Sequence, residues 1–418
     1  MDDAESILGP LCIGVPFPSV HPTAGGAYEF QHTVFQEILN RVAAPSSESK
    51  VRWIPIAVDS SIPQRWGLDP SSALVFQSPT LPLRIRSAFH RRLYNLRHPW
   101  DLLPLSKTLV VRDQIQALRR QVDVLWYLNS SSFTDQLPYV ITVWDLQHRL
   151  QPFFPEVSWG DTWEARERHF AHVTRKAFLN VTGTQRGSKE LQQFFGVDPS
   201  RILVNPFPCP ESVTSTLQAQ NELLHELLLE RENFLLYPAQ FWSHKNHMAA
   251  LLALSQLHSQ GYKLKLVFTG SGKGSQDAVM KLVSDLKLND SVVFAGFVER
   301  SQLASLYSTA LALIYPSFFG PDNLPPLEAM SYGLPAVVAE VPGSHDQYGE
   351  AVLFFDPNKP NQLVDAVLQV INDQYLRLRL VDAGKQLLER LTPSLYVDRM
   401  QEFLLDASLS LRCSGIIG

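Results

Sequence analysis

"FFGPDNLPPLEAMSYGLPAVVA", Phe318–Ala339, is the stretch whose reading decides this chain. It opens in turn formers. Pro325 and Pro326 then fit the first turn of a helix, where a missing N–H is no loss. Gly333 stops that helix, Pro335 keeps it stopped, and the apolar run Ala336–Ala339 reads as a strand. Because the prolines carry no N–H, the donors left at the start of the helix are those of Asn323 and Leu324, which suit a phosphate. Glu328 follows one turn later. Its two oxygens can accept from both hydroxyls of a ribose. As a first-turn acid it would equally complement the helix dipole, for about 0.3–1 kcal/mol.

The same punctuation repeats on both sides. Strand candidates in this half are 234–239, 265–270, 292–297, 312–317, 336–339 and 353–356, alternating with helical patterns near 246–259, 275–287, 300–309 and 361–373. The first half offers strands at 11–17, 51–58, 122–128, 139–145, 178–184 and 202–207, with helical periodicity at 28–42, 112–121 and 162–178. Continuous apolar strands between helices indicate parallel sheets covered on both faces. Two such series indicate an α/β fold of two Rossmann-like, doubly wound domains. The polar and leucine-rich stretch 208–232 is the expected linker. We divide the chain at 1–210, 211–392 and 393–418, the last holding an amphipathic helix over 393–411. Ligands of open α/β sheets bind beyond the carboxyl ends of the strands, so the cleft between the domains is the expected site.

Composition narrows the function. With 418 residues the chain is too long for one ordinary core, and 45% hydrophobic with 18% charged residues is globular. A net charge of −5 gives no electrostatic case for nucleic acid. Cys12, Cys209 and Cys413 have neither metal-ligand spacing nor the look of a disulfide framework, and suit a reduced cytoplasm. The acidic start does not resemble a signal peptide, and no apolar run approaches the ~20 residues of a membrane span.

Three further constellations follow strands. In "HPTAGGAYEF" (21–30), Gly25 and Gly26 permit close backbone approach and lead into a helix whose amides could meet a phosphate or sugar oxygen; an ordinary turn explains them equally well. Their spacing is not the dinucleotide fingerprint, which counts against a nicotinamide enzyme. In "TVWDLQHRLQP" (142–152), Asp145 and His148 would face the cleft, with turn capping the alternative for Asp145. In "YPAQFWSHKNH" (237–247), Lys245 stands at a helix entry and suits a phosphate. Gly270, in "FTGSGKG" (268–274), lets the backbone come close to a ligand, whereas Lys273 reads as a solvated loop lysine.

In order and spacing, these motifs resemble retaining glycosyltransferases of family 4, which have the GT-B fold; "GTQRGSKELQQFFGVDPSRILVNPFP" (183–208) and "VPGSHDQYGEAVLFFDP" (341–357) carry the likeness further, most strongly over about 137–360. The resemblance implies two domains facing a cleft, a final helix crossing back to the first, and transfer of a hexose from a nucleotide-diphosphate sugar to a glycan, lipid-linked or other hydroxyl acceptor, without cofactor or metal. Mannose is the first candidate, as GDP-mannose, with UDP-sugars close behind. Glu328 matches the second glutamate of the E-x7-E motif, on the ribose. Asn323 and Leu324 match the loop on the diphosphate and sugar, Lys245 the diphosphate lysine, and Gly25 and Gly26 the glycine loop. Three positions depart: Gly320 stands where the first glutamate falls, Gln240 where a basic residue is common, and Trp144 where a histidine precedes Asp145. Asp322 is the candidate to supply the carboxylate missing at Gly320. A weakly active nucleotide-binding or scaffold protein and a nucleotide-sugar epimerase are the competing readings. The basic stretch 82–100, with Arg84, Arg86, Arg91, Arg92 and Arg97 among apolar residues, fits peripheral contact with an anionic inner membrane face, a solvated face or an acceptor-phosphate groove.

Overall fold

A computed structural model describes residues 9–18, 25–45, 49–57, 61–66, 68–69, 71, 73–75, 112–320 and 322–413. The basic stretch 82–100 and the positions 21–24 before the glycine pair lie outside the described residues.

Thirteen strands among the described residues form two sheets, and every pairing is parallel. The first holds β1 (Leu11–Pro16), β2 (Val51–Ala57), β3 (Leu74–Val75), β4 (Val124–Tyr127), β5 (Tyr139–Thr142), β6 (Leu179–Thr182) and β7 (Ile202–Val204), in the order β3-β2-β1-β4-β5-β6-β7. The second holds β8 (Phe234–Pro238), β9 (Lys265–Thr269), β10 (Val292–Gly296), β11 (Ala312–Tyr315), β12 (Ala336–Ala339) and β13 (Leu353–Phe355), in the order β10-β9-β8-β11-β12-β13. Both are Rossmann-like, doubly wound orders, reversing beside β1 and β8. Strands such as β4, β5, β8 and β11 are buried along their whole length, which is why they read as unbroken apolar runs.

The helix Pro393–Asp406 returns to the first domain. Thr392 caps it, accepting from Leu395 N at 3.2 Å, and its buried face is Tyr396, Val397, Met400 and Leu404. That face packs on the helix Gly26–Ala43, where Phe30, Val34 and Ile38 repeat every four residues. Tyr396 meets Phe30 edge-on at 5.7 Å and stacks over Trp126 at 6.1 Å. Asn205 Nδ2 donates to the Tyr396 carbonyl at 3.0 Å, and Arg41 pairs with Asp398 at 2.8 Å. Tyr396, Val397, Met400 and Leu404 of this helix belong to one continuous buried cluster that runs from one face of the first sheet into the second domain.

The structure departs from the sequence reading at several elements. The expected linker 208–232 contains a helix, Leu217–Glu226, capped by Thr216 and packed on the helix Arg300–Thr309, so only the segment before Thr216 is extended. The final helix is two pieces, Pro393–Asp406 and Ser408–Cys413. Helices Gln185–Phe195 and Gln374–Leu388 and the short strand β3 were not expected. Among the described residues no helix is long and apolar enough to cross a membrane.

Tyr396→Ala should destabilise the protein by roughly 3 kcal/mol or more, because it empties a fully buried aromatic site between Phe30, Trp126 and Phe207. Urea unfolding measures it, and a loss below about 1 kcal/mol would mean that the return helix is not part of one core.

Candidate active site

The loops after β1, β5, β8 and β11 meet around a cavity of about 420 Å³ between the domains. Gly25, Gly26, Trp144, Asp145 and Arg166 line it from the first domain; Gln240, Lys245, Tyr315, Gly320, Asp322, Asn323 and Leu324 line it from the second. A larger hollow of about 870 Å³ lies at the opposite, amino-terminal ends of β1 and β2, and none of the expected site residues reaches it. Chemistry rather than size therefore picks out the cleft.

Lys245 sits after β8, in the turn Ser243–Lys245 that precedes the helix His247–Ser259. Its Nζ donates to Asn323 Oδ1 at 3.0 Å and to Tyr315 Oη at 3.1 Å, and lies over the Tyr315 ring at 5.2 Å. Tyr315 Oη in turn donates to Asn323 Oδ1 at 3.1 Å. Burial pulls the ammonium down to about 8, opposed by the charges of Asp145 and Glu156. Asn323 is fixed from both ends: its Nδ2 donates to the Gly320 carbonyl, and its own carbonyl accepts from Tyr348 Oη at 2.7 Å and Gln347 Nε2 at 3.1 Å. The helix Pro325–Ser331 begins at Leu324 with no side-chain cap. The backbone N–H groups of Asn323 and Leu324 have no acceptor among the described residues.

Glu328 lines an adjoining recess of about 50 Å³ with Glu29, Arg300, Tyr307 and Tyr332, not the main cavity. Tyr307 Oη donates to Glu328 Oε2 at 2.6 Å, and the Tyr332 ring stacks on Tyr307 at 5.3 Å. Burial pushes the Glu328 carboxyl up to about 7, against the pull of the Tyr307 hydrogen bond. Arg300 spans the domains here, 3.8 Å from Glu29 and donating to the Glu211 carbonyl at 3.0 Å.

Gly320 has φ +101°, and a Cβ there would meet Asn323 Oδ1 at 2.6 Å. A glutamate at 320 would be strained and would displace the residue that orients Lys245. Asp322 stands in the cavity wall, but its carboxylate turns toward Gly183 in the first domain, where a Cβ would overlap it. Burial, with Asp145 and Glu190 nearby, raises its pKa well above the usual carboxylate range.

Asp145 faces the cavity while also capping its turn: Oδ1 accepts from Gln147 N at 3.0 Å and pairs with Arg166 at 2.6 Å. Both readings of this residue describe it. His148 does not reach the cavity. It is fully buried in the first domain, stacked on Phe170 at 5.6 Å with Nε2 3.3 Å from Glu167, because the short helix Gln147–Leu150 turns it inward. Gly270 also stays outside the cavity. Its φ of +125° lets β9 end against Ala239, whose carbonyl a Cβ would meet at 2.6 Å, so it shapes the wall from behind. Gly25, at φ +66°, and Gly26 do line the cleft, Gly26 opposite Leu324.

Three groups lacked a legible signal. Arg166 lies mid-helix, 21 positions after its partner Asp145. Tyr315 reads as the end of an apolar strand. Glu156, from the first domain, accepts from His244 N at 2.8 Å and from its Nδ1, and so bridges the two edges of the cleft. Burial leaves His244 neutral, pulled down to about 4. Among the described residues no group of three or more His, Cys, Asp or Glu side chains could hold a metal ion.

Two parallel, doubly wound sheets facing one cleft are the architecture of the GT-B class. The comparisons agree. Residues 220–387 match the family described as "Glycosyl transferases group 1". The chain is 32% identical over 144 residues to "O-antigen chain mannosyltransferase RfbU" of Salmonella typhimurium, a match covering 34% of this chain and 39% of that protein. It is 26% identical over 291 residues to "O-antigen chain mannosyltransferase B" of Escherichia coli, covering 69% of this chain and 75% of that one. Among solved structures, Anabaena Alr3699/HepE in complex with UDP and glucose superposes with TM-score 0.65 at 16% identity, over 94% of this chain and 98% of that one. WaaG, a glycosyltransferase involved in lipopolysaccharide biosynthesis, superposes with TM-score 0.62 at 15% identity, over 94% and 99%. Residues 220–387 are thus a group 1 glycosyl transferase domain, and the chain as a whole has the GT-B fold.

Gly320→Glu, which writes the missing motif glutamate back, should lower stability by about 1–3 kcal/mol rather than restore a site, because position 320 is left-handed and abuts Asn323. A thermal melt without ligand measures it; an unchanged midpoint would show that the loop tolerates a side chain there.

Proposed function

We propose that this protein is a retaining glycosyltransferase that moves a hexose, mannose first among the candidates, from a nucleotide-diphosphate sugar to a hydroxyl of a glycan or lipid-linked acceptor. The observation that carries this reading is Lys245. A half-buried ammonium is held on Asn323 Oδ1 and Tyr315 Oη, in the same cavity wall as the two unpartnered amides. A diphosphate would take the ammonium and the amide donors together. Glu328, one turn along the same helix, would then accept the ribose hydroxyls in its recess. Asp145, with Arg166, would face the acceptor side of the cleft, whereas Asp322, turned onto Gly183, does not replace the carboxylate missing at position 320. The acceptor proton passes to the donor's leaving phosphate, so no separate base is required. His148 and Gly270 drop out as direct contacts. The mannosyltransferases named above support mannose, and the complexes of Alr3699/HepE with UDP keep uridine donors in view. Sparse cysteines, with Cys209 buried, support a cytoplasmic place.

The catalytically weak reading draws on Gly320, whose surroundings exclude a glutamate. A melting-shift panel of nucleotide sugars separates them, since a ligand of the folded state raises stability by mass action. The donor should raise the midpoint more than its bare nucleotide does, and turnover should follow with an acceptor. No response to any nucleotide sugar would sink the transferase reading.

Glu328 gives the binding a pH dependence. Burial raises its folded pKa to about 7 from an ordinary 4.5, so the folded state favours the protonated acid and loses that share of its stability as pH rises from about 4.5 through 7. Ribose needs the ionised form. Because Lys245, at about 8, is half neutral at the upper end, nucleotide affinity should be about fivefold weaker at pH 6 than at pH 8. Glu328→Ala should weaken binding at all pH values and flatten the profile. Calorimetric titration checks both, and an unaltered affinity in the variant would remove the ribose assignment.

A further inference from the structure

Large aromatic side chains are scarce on the described surface: Phe153, Trp159, Phe297 and Tyr375 are the exposed ones. Two of these four fall within seven residues, on "FFPEVSW" (153–159), at 73% and 80% exposure. The intervening residues belong to the cleft. Phe154 packs on Phe318 and Phe319 of the second domain, both at 5.7 Å. Glu156 bridges to His244, and Glu156 and Val157 line the cavity. Trp159 follows Val157 by two positions and closes the short helix Pro155–Ser158, its N–H bonded to the Pro155 carbonyl at 2.8 Å. Gln151 Nε2 donates to the Phe318 carbonyl at 3.0 Å, so the segment is tied at its other end as well. A tethered segment, part of which lines the cavity, thus carries a large exposed ring at each of its ends.

Leaving two such rings in water forgoes the burial free energy of much apolar surface, and patches of this kind mark binding sites. The neighbouring charges say what kind. Asp161 and Glu164 are exposed just beyond Trp159, whereas Glu156, between the rings in sequence, is taken up by His244. Acids at these positions repel an anionic bilayer, whereas they accept from hydroxyl groups. A pyranose offers both features at once: an apolar face of C–H groups, which suits the electron-rich face of an aromatic ring, and a rim of hydroxyls.

We propose that Phe153 and Trp159 form an acceptor platform, on which a neutral oligosaccharide stacks its sugar rings as its reacting hydroxyl enters the cleft beside Asp145. The proposal rests on the transferase reading above and adds the chemical class of the acceptor and the surface that takes it.

The test is glycan-array binding by the full chain, by Trp159→Ala, Phe153→Ala and the double substitution, and by Trp159→Phe, with the nucleotide-sugar melting shift measured on each. Both rings are exposed, so their removal should leave the melting shift of the natural chain in place. Neutral oligosaccharides should bind the natural chain, the double substitution should weaken them by about fivefold or more, and Trp159→Phe should retain most of the binding. Equal glycan binding by the natural chain and the double substitution, or none by either, overturns the platform whatever the melting shift does. Absence of any melting shift in the natural chain overturns the transferase reading, a separate result. Vesicles of phosphatidylglycerol and phosphatidylethanolamine complete the experiment: vesicle binding lost in the double substitution, with glycan binding unaltered, would give the rings to a bilayer and overturn the proposal.

Discussion

A sheet whose strands all run in one direction cannot be joined by hairpins. Each strand needs a crossover, so each loop that follows a strand opens on the same edge. This chain obeys the constraint twice, and the strand order reverses beside β1 and again beside β8. At those reversals the loops part and leave a crevice. The glycine pair follows β1, Lys245 follows β8, and Gly320–Leu324 follow β11. The return helix and the aromatic contacts of Phe154 hold the two edges face to face. Remove the parallel constraint and these residues would scatter over both edges of each sheet.

Burial acts on three of the ionisable groups in and beside this cleft toward the neutral form. Lys245 is pulled down to about 8, Glu328 is pushed up to about 7, and Asp322 is raised further by Asp145 and Glu190. These groups are held by neutral hydroxyl and amide partners, Tyr315, Asn323 and Tyr307, more than by opposite charges. An ammonium kept on an amide oxygen and a phenol keeps most of its attraction for an anion. Had it been paired with a carboxylate, that attraction would be spent within the protein. Asp145 shows the contrast, since Arg166 already pairs with it at 2.6 Å.

Much of the fold was legible because burial on both faces writes parallel strands as plain apolar runs. Helix Gln185–Phe195 escaped because Ser188 and Glu190 are buried on its inner face and break the apolar stripe. Strand β3 is two residues long, too short to show a period. Within the site, Lys245, Asn323 and the glycine pair were found from local grammar, the turn and helix start after a strand. His148 follows the same grammar, yet a four-residue helix rotates it into the core. Arg166 and Glu156 carry no such grammar. They reach the cleft from the body of one helix and the first turn of another, and only packing aims them.

Local chemistry, then, was settled along the chain: which residues end strands, which start helices without N–H groups, and that no glutamate stands at 320. Those facts depend on neighbours a few positions apart, and a sequence records them directly. Distances between elements were decided by the tertiary structure alone. It put Asn323 Oδ1 within 3.0 Å of the Lys245 ammonium across 78 positions, turned Asp322 onto Gly183, and moved Glu328 into a recess shared with Arg300. Such contacts follow from close packing within the second domain and across its boundary with the first, and packing sums over the whole chain rather than over any stretch of it.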